Sequence, residues 1–157
     1  MKHTISVLVE NKPGVLARIA GLFSARGFNI DSLAVGETED PTVSRMTIIV
    51  HAQDARILEQ ILKQLRRLID TINVIDLTKK EYAERELALV RVQCEPKDKA
   101  KVAHLAEKYD ARILSTKKNS CVMEICADST RVKEFLESAK EFGVQELART
   151  GRVAISL

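Results

Sequence analysis

The chain is expected to be an α+β protein of two successive βαββαβ units, because strand-like and helix-like hydrophobic periods follow one another in that order twice within 157 residues. Three observations carry this expectation. Apolar residues recur at every second position in 3–10 and again in 86–94. The period lengthens to three or four just after Pro13 and again after Pro96. Two of the helical stretches then stop at a glycine, Gly27 or Gly143, the residue that most easily turns a chain out of a helix.

Taken in order, HTISVLVE (3–10) places Ile5, Val7 and Val9 on one face and reads as a strand. From Pro13 to Arg26 the residues Val15, Ile19, Leu22 and Phe23 share one side of a helix, with Pro13 expected at its first position, where a missing N–H costs nothing. Residues 30–37 and 42–51 read as a hairpin around ETEDPT, with Pro41 at the corner. Asp54 suits the cap of a second helix striped by Ile57, Leu58, Ile61, Leu62 and Leu65, and 71–77 reads as the closing strand.

The second unit repeats the order without obvious sequence similarity. ELALVRVQC (86–94) alternates, a helix beginning at Pro96 carries Val102, Leu105, Ala106 and Tyr109, and ARILSTKKN with SCVMEICAD reads as a strand pair. Residues 129–142 suit a helix with Val132, Phe135, Leu136, Ala139 and Phe142 inward, and GRVAISL suits a last strand. The expectation is therefore two ferredoxin-like domains, 1–77 and 78–157, with the charged TKKEYAERE (78–86) as linker. Each would lay two helices on one face of a four-stranded antiparallel sheet. The other face, with Leu8 and Ile49 outward in the first unit, would be left for a partner.

Composition narrows the function classes. With 45% hydrophobic and 30% charged residues, disorder is not expected, and two cores of about 75 residues each lie near the lower practical limit. No apolar run reaches the roughly 20 residues of a bilayer span, and MKHTISVLVE is too short and too alternating for a signal peptide, so no membrane association and a cytoplasmic location are expected. Cys94, Cys121 and Cys126 lack CxxC spacing and fall in or beside apolar strand-like runs, as buried thiols would. Residues 1–77 carry nine basic and nine acidic side chains and 78–157 carry sixteen and thirteen, too even a balance to indicate nucleic acid.

No catalytic constellation or metal site is expected. His3, His51 and His104 lie far apart, no GxSxG or paired-carboxylate arrangement occurs, and Gly14 stands alone where a dinucleotide loop needs three spaced glycines. RNA-recognition modules share the βαββαβ order but stack bases on strand aromatics. Here the outward positions are Thr4, Ser6 and Leu8 on the first strand, and Arg45, Thr47 and Ile49 on the third, so no nucleic-acid partner is expected.

A small-molecule site remains, and the turn from Asn11 to Leu16 has suitable chemistry. First-turn N–H groups lack intrahelical acceptors and carry partial positive charge, which favours a carboxylate there. Gly14 has no β-carbon to keep a ligand from the amides of Gly14, Val15 and Leu16. Asn11 and Asn29 offer a carbonyl and two N–H donors each without net charge. The same residues also fit a plain Pro-Gly turn with Asn11 as helix cap and Gly27 with Asn29 as a helix-ending corner.

The runs NKPGVLARIAGLFSARGFNIDSLAVG, DPTVSRMTI and ERELALVRV together resemble the small regulatory subunit family of acetolactate synthase (acetohydroxyacid synthase), whose N-terminal half is an ACT domain. The resemblance spans the whole chain in length and layout and is most specific over 3–50. It implies a non-catalytic chain that forms a homodimer through its ACT domains. Such a chain binds and activates the thiamine-diphosphate-dependent catalytic subunit, and confers feedback inhibition by valine or by leucine or isoleucine. Thiamine diphosphate, Mg and FAD would belong to that catalytic partner. The effector would lie between two ACT domains, with Asn11, Gly14, Val15 and Leu16 from one chain and Asn29 and Ile30 from the other, and Val35 as a further pocket candidate. A free-standing ACT-type sensor of another enzyme is the alternative on the same resemblance.

Overall fold

The alternating run at the start of the chain forms β1 (Lys2–Glu10), with Ile5, Val7 and Val9 buried. The structure is a computed structural model and describes all 157 residues. After β1 come α1 (Val15–Ser24), β2 (Ile30–Glu37), β3 (Val43–His51), α2 (Ala55–Arg67), β4 (Thr71–Asp76) and β5 (Tyr82–Gln93). A 3-10 turn at Pro96–Asp98 leads into α3 (Lys99–Lys108), followed by β6 (Arg112–Lys117), β7 (Ser120–Ala127), α4 (Ser129–Ala139) and β8 (Val144–Ser156). The strand orders are β2-β3-β1-β4 and β6-β7-β5-β8, so each sheet is the four-stranded, ferredoxin-like arrangement expected. No helix is long and apolar enough to cross a membrane.

In the first unit the apolar stripes of α1 and α2 meet the inward residues of β1, β3 and β4 in one core around Phe23, Ile19, Ile61 and Leu65. Burying a side chain such as Phe23 is worth about 1.5–3 kcal/mol, so the shared helical face determines where α1 lies. A left-handed Gly27 ends α1. Gly27 N–H returns to Ser24 O at 3.0 Å and Phe28 N–H to Phe23 O at 3.0 Å, a Schellman arrangement that satisfies carbonyls the helix would leave open. Asp54 caps α2 as its position suggests, accepting from the backbone N–H groups of Arg56 and Ile57 at 2.7 and 2.9 Å.

Cys94 and Cys121 are buried but Cys126, read from its apolar run as a buried thiol, is exposed, and four details of the fold also depart from the sequence expectations. The helix α1 begins at Val15, so Pro13 lies in the preceding turn and Gly14 takes the capping position. Tyr82–Glu86, expected in a linker, already belongs to β5. The last strand is almost twice as long as GRVAISL, because 144–150 is extended as well. The fourth concerns the division of the chain, which falls into a unit of Met1–Ala83 with Arg152–Leu157 and a unit of Glu84–Gly151.

That grouping changes the outer face of the first sheet. The N–H of Arg152 donates to Ser32 Oγ at 3.1 Å and that of Ala154 to Thr47 Oγ1 at 3.3 Å, while Leu157 N–H donates to Glu81 O at 3.0 Å. Thr4, Ser6, Thr47 and Ile49 are buried, Ile49 to 1% exposure. The face expected to be open is therefore occupied in part by the chain's own last residues, and Leu8 is only half-exposed.

Candidate functional site

The turn between β1 and α1 is built around Gly14, whose φ of 83° lies in the left-handed region that other residues rarely occupy. No side chain caps α1, so the first-turn N–H groups of Leu16 and Ala17 have neither a cap nor an intrahelical acceptor. Val15 N–H makes only a long bond to Lys12 O, at 3.4 Å. The turn therefore presents backbone donors at the positive end of a ten-residue helix, as a carboxylate site requires.

Asn11 is not the cap. Its backbone N–H donates to Thr42 O at 2.7 Å, and its Nδ2 donates to Glu37 Oε1 at 3.1 Å and Pro41 O at 2.9 Å. Both side-chain bonds spend the amide's donors on the β2–β3 hairpin and leave its Oδ1 as a free acceptor. At the other end of α1, Asn29 Nδ2 donates to Asp31 Oδ1 at 3.0 Å. Asp31 also pairs with Lys2 at 3.1 Å, and these two contacts, Lys2 first, hold its carboxyl below the usual carboxylate range.

The predicted residues thus form two clusters within one chain. Asn11, Gly14, Val15 and Leu16 lie before and at the start of α1, and Asn29 and Ile30 lie after its end, so the two groups sit at opposite ends of a ten-residue helix about 15 Å long. The Val15 side chain is buried in the core, so the turn's apolar surface comes from Leu16, 45% exposed. Ile30 is half-buried against the same core, and Val35 on edge strand β2 is 47% exposed.

Sequence spacing gave no sign of Arg18 in this region. Its Nε donates to Asp70 Oδ2 at 2.8 Å, across 52 residues of sequence, and its Nη2 lies 2.7 Å from the same oxygen in an ion pair. A β-carbon placed on Gly14 would lie 3.0 Å from Arg18 Nη1, so the space left by the missing side chain borders a guanidinium. Elsewhere, no group of three or more His, Cys, Asp or Glu side chains could hold a metal. A cleft of about 490 Å³ in the second unit, between α3 and the end of α4, contains none of the predicted site residues.

Sheet order, helix placement and a donor-rich strand-to-helix turn define the first unit as an ACT-type module. Residues 5–73 match the family model described as AHAS small subunit-like ACT domain, and residues 85–157 match that described as small subunit of acetolactate synthase. An Archaeoglobus fulgidus protein named "Probable acetolactate synthase small subunit" is 49% identical over 155 residues, covering 99% of this chain and 96% of its own. The acetolactate synthase small subunit of Mycobacterium leprae is 44% identical over 154 residues, covering 98% and 91%. The crystal structure of the acetolactate synthase small subunit from Thermotoga maritima superposes with a TM-score of 0.90 at 36% identity, covering 100% of this chain and 98% of that one. The chain belongs to the acetolactate synthase small subunit family.

Proposed function

We propose that this chain is the non-catalytic regulatory subunit of acetolactate synthase. In this reading it binds the catalytic subunit, raises its activity and makes it sensitive to valine or a related branched-chain amino acid. Thiamine diphosphate, Mg and FAD belong to the catalytic partner. Family membership supports the partnership, and the placement of the two asparagine clusters supports the effector site.

The observation that carries the site is the bond from Asn11 to Glu37. Glu37 is the last residue of β2 and Ile30 the first, and β2 is an edge strand with an unpaired side. If two copies pair antiparallel along β2, the Asn29–Ile30 end of one chain meets the Glu37 end of the other. Asn11 and the Gly14 turn of that second chain lie at the same end. Two clusters separated within one chain then become neighbours across a dyad, giving two equivalent sites per dimer.

A ligand bridging both chains has the differential affinity that regulation requires, because it binds one arrangement of the pair better than any other. Its carboxylate faces the α1 donors, its ammonium the free Oδ1 atoms of Asn11 and Asn29, and its side chain Leu16, Ile30 and Val35. Mixing the chain with the catalytic subunit, with and without valine, tests the reading. Stimulated acetolactate formation that valine suppresses is expected. Saturable valine binding by calorimetry without stimulation would instead identify a free-standing sensor of another enzyme.

A further inference from the structure

We infer that Arg18, held in place by Asp70, is a carboxylate-binding residue of the effector site. The inference rests on the valine-site reading above and adds a side-chain ligand to backbone donors. Three observations converge on it. First, Arg18 is held on a single oxygen, Asp70 Oδ2, to which Nε donates at 2.8 Å and with which Nη2 is ion-paired at 2.7 Å, while Nη1 donates to no protein atom. Second, Asp70 is only 8% exposed, and its backbone oxygen accepts from Glu10 N–H at 2.9 Å, so the anchor is itself fixed beside the end of β1. Third, Nη1 borders the absent β-carbon of Gly14 at 3.0 Å, on the turn whose N–H groups are offered to the ligand.

A guanidinium is planar, always charged and suited to carboxylates, and one held along one edge has its remaining donors aimed before a ligand arrives. In an exposed pair such as Lys63–Glu59 both side chains lie more than half in solvent, whereas the Asp70 side chain that anchors Arg18 is 11% exposed. Arg18 therefore has a fixed direction and an unused donor group, and the α-carboxylate of an amino acid is the group that fits both. Asp70 is a positioning residue that acts only through Arg18.

The test measures L-valine and L-valinamide binding to the full chain by calorimetry. Valinamide keeps the ammonium and the side chain but carries no carboxylate charge. In Arg18→Gln the affinity for valine is expected to fall about ten-fold or more, while that for valinamide changes far less. Because that variant leaves Asp70 unpaired, the double variant Arg18→Gln/Asp70→Asn is measured beside it, with thermal unfolding as the check on folding. The same loss of preference for valine over valinamide is expected there. Wild-type affinity and preference in either folded variant, with valine binding still abolished by Gly14→Asp, overturns the role of Arg18 and leaves the site reading standing. Failure of the wild-type chain to bind valine at all overturns both.

Discussion

Gly14 meets two separate demands, a backbone in the left-handed region and an immediate neighbour that leaves no room for a side chain. The first alone makes Gly14→Ala cost about 1–2 kcal/mol, and the contact with Arg18 adds to it. Gly14→Asp goes further, because it sets a carboxylate beside the Arg18 guanidinium, where the ligand's own carboxylate is proposed to bind. Valine inhibition is expected to disappear in that variant while stimulation of the catalytic subunit persists, read as acetolactate formation with and without valine. Full inhibition by valine in Gly14→Asp would remove Gly14 from the site. The sequence made the turn visible through Pro13, Gly14 and the helical period that follows. It could not show what lies beside the glycine, since the Arg18–Asp70 pair joins residues 52 apart and local spacing carries no trace of it.

Among the elements, legibility followed burial. The strands β1 and β5 alternate because their inward residues are core, and α2 was clear from its stripe and from Asp54. The first half of β8 was missed for the opposite reason. It is an edge strand with nearly every position exposed, held by cross-strand charges such as Arg149 on buried Glu86 at 2.7 and 2.9 Å. Helix caps are an intermediate case. Asp128 accepts from Thr130 and Arg131 N–H, both at 3.0 Å, and these donors, Arg131 first, lower its pKa from the ordinary 3.8. A depressed carboxylate stabilises the fold above its unfolded-state pKa, and that contribution is lost as the pH falls through the lower folded-state value. Asp128→Ala should therefore cost about 1 kcal/mol at neutral pH, with the deficit shrinking below about pH 4. Asp128→Asn keeps the acceptor and should recover most of the stability with a flatter acid limb in thermal unfolding. An Ala variant as stable as wild type at pH 7 would mean that the cap contributes nothing to α4.

For the molecule as a whole, the decisive question is whether the two ends of α1 serve one site or two. Within a chain Asn11 and Asn29 lie beyond opposite ends of α1, a helix about 15 Å long, too far apart for one amino acid to touch both. A site that uses both must draw them from different copies, and this has a consequence that no single substitution reveals. On the proposed site, Gly14→Asp is expected to disable the turn, and Asn29→His the cluster at the other end. Each variant alone should form dimers in which neither site is intact. Co-expressed, they are expected to form mixed dimers in which one proposed site carries both defects and the other carries none. Random assortment makes half of the dimers mixed, so roughly a quarter of all sites should bind valine again. Calorimetry on the co-expressed protein should show that partial stoichiometry with near wild-type affinity, together with partial valine inhibition of the catalytic subunit. Sites contained within one chain would give no recovery, because every chain then carries a defect in its own site. Recovery therefore distinguishes shared from separate sites without any structure of the dimer, and its absence in a mixture known to contain mixed dimers overturns the pairing along β2.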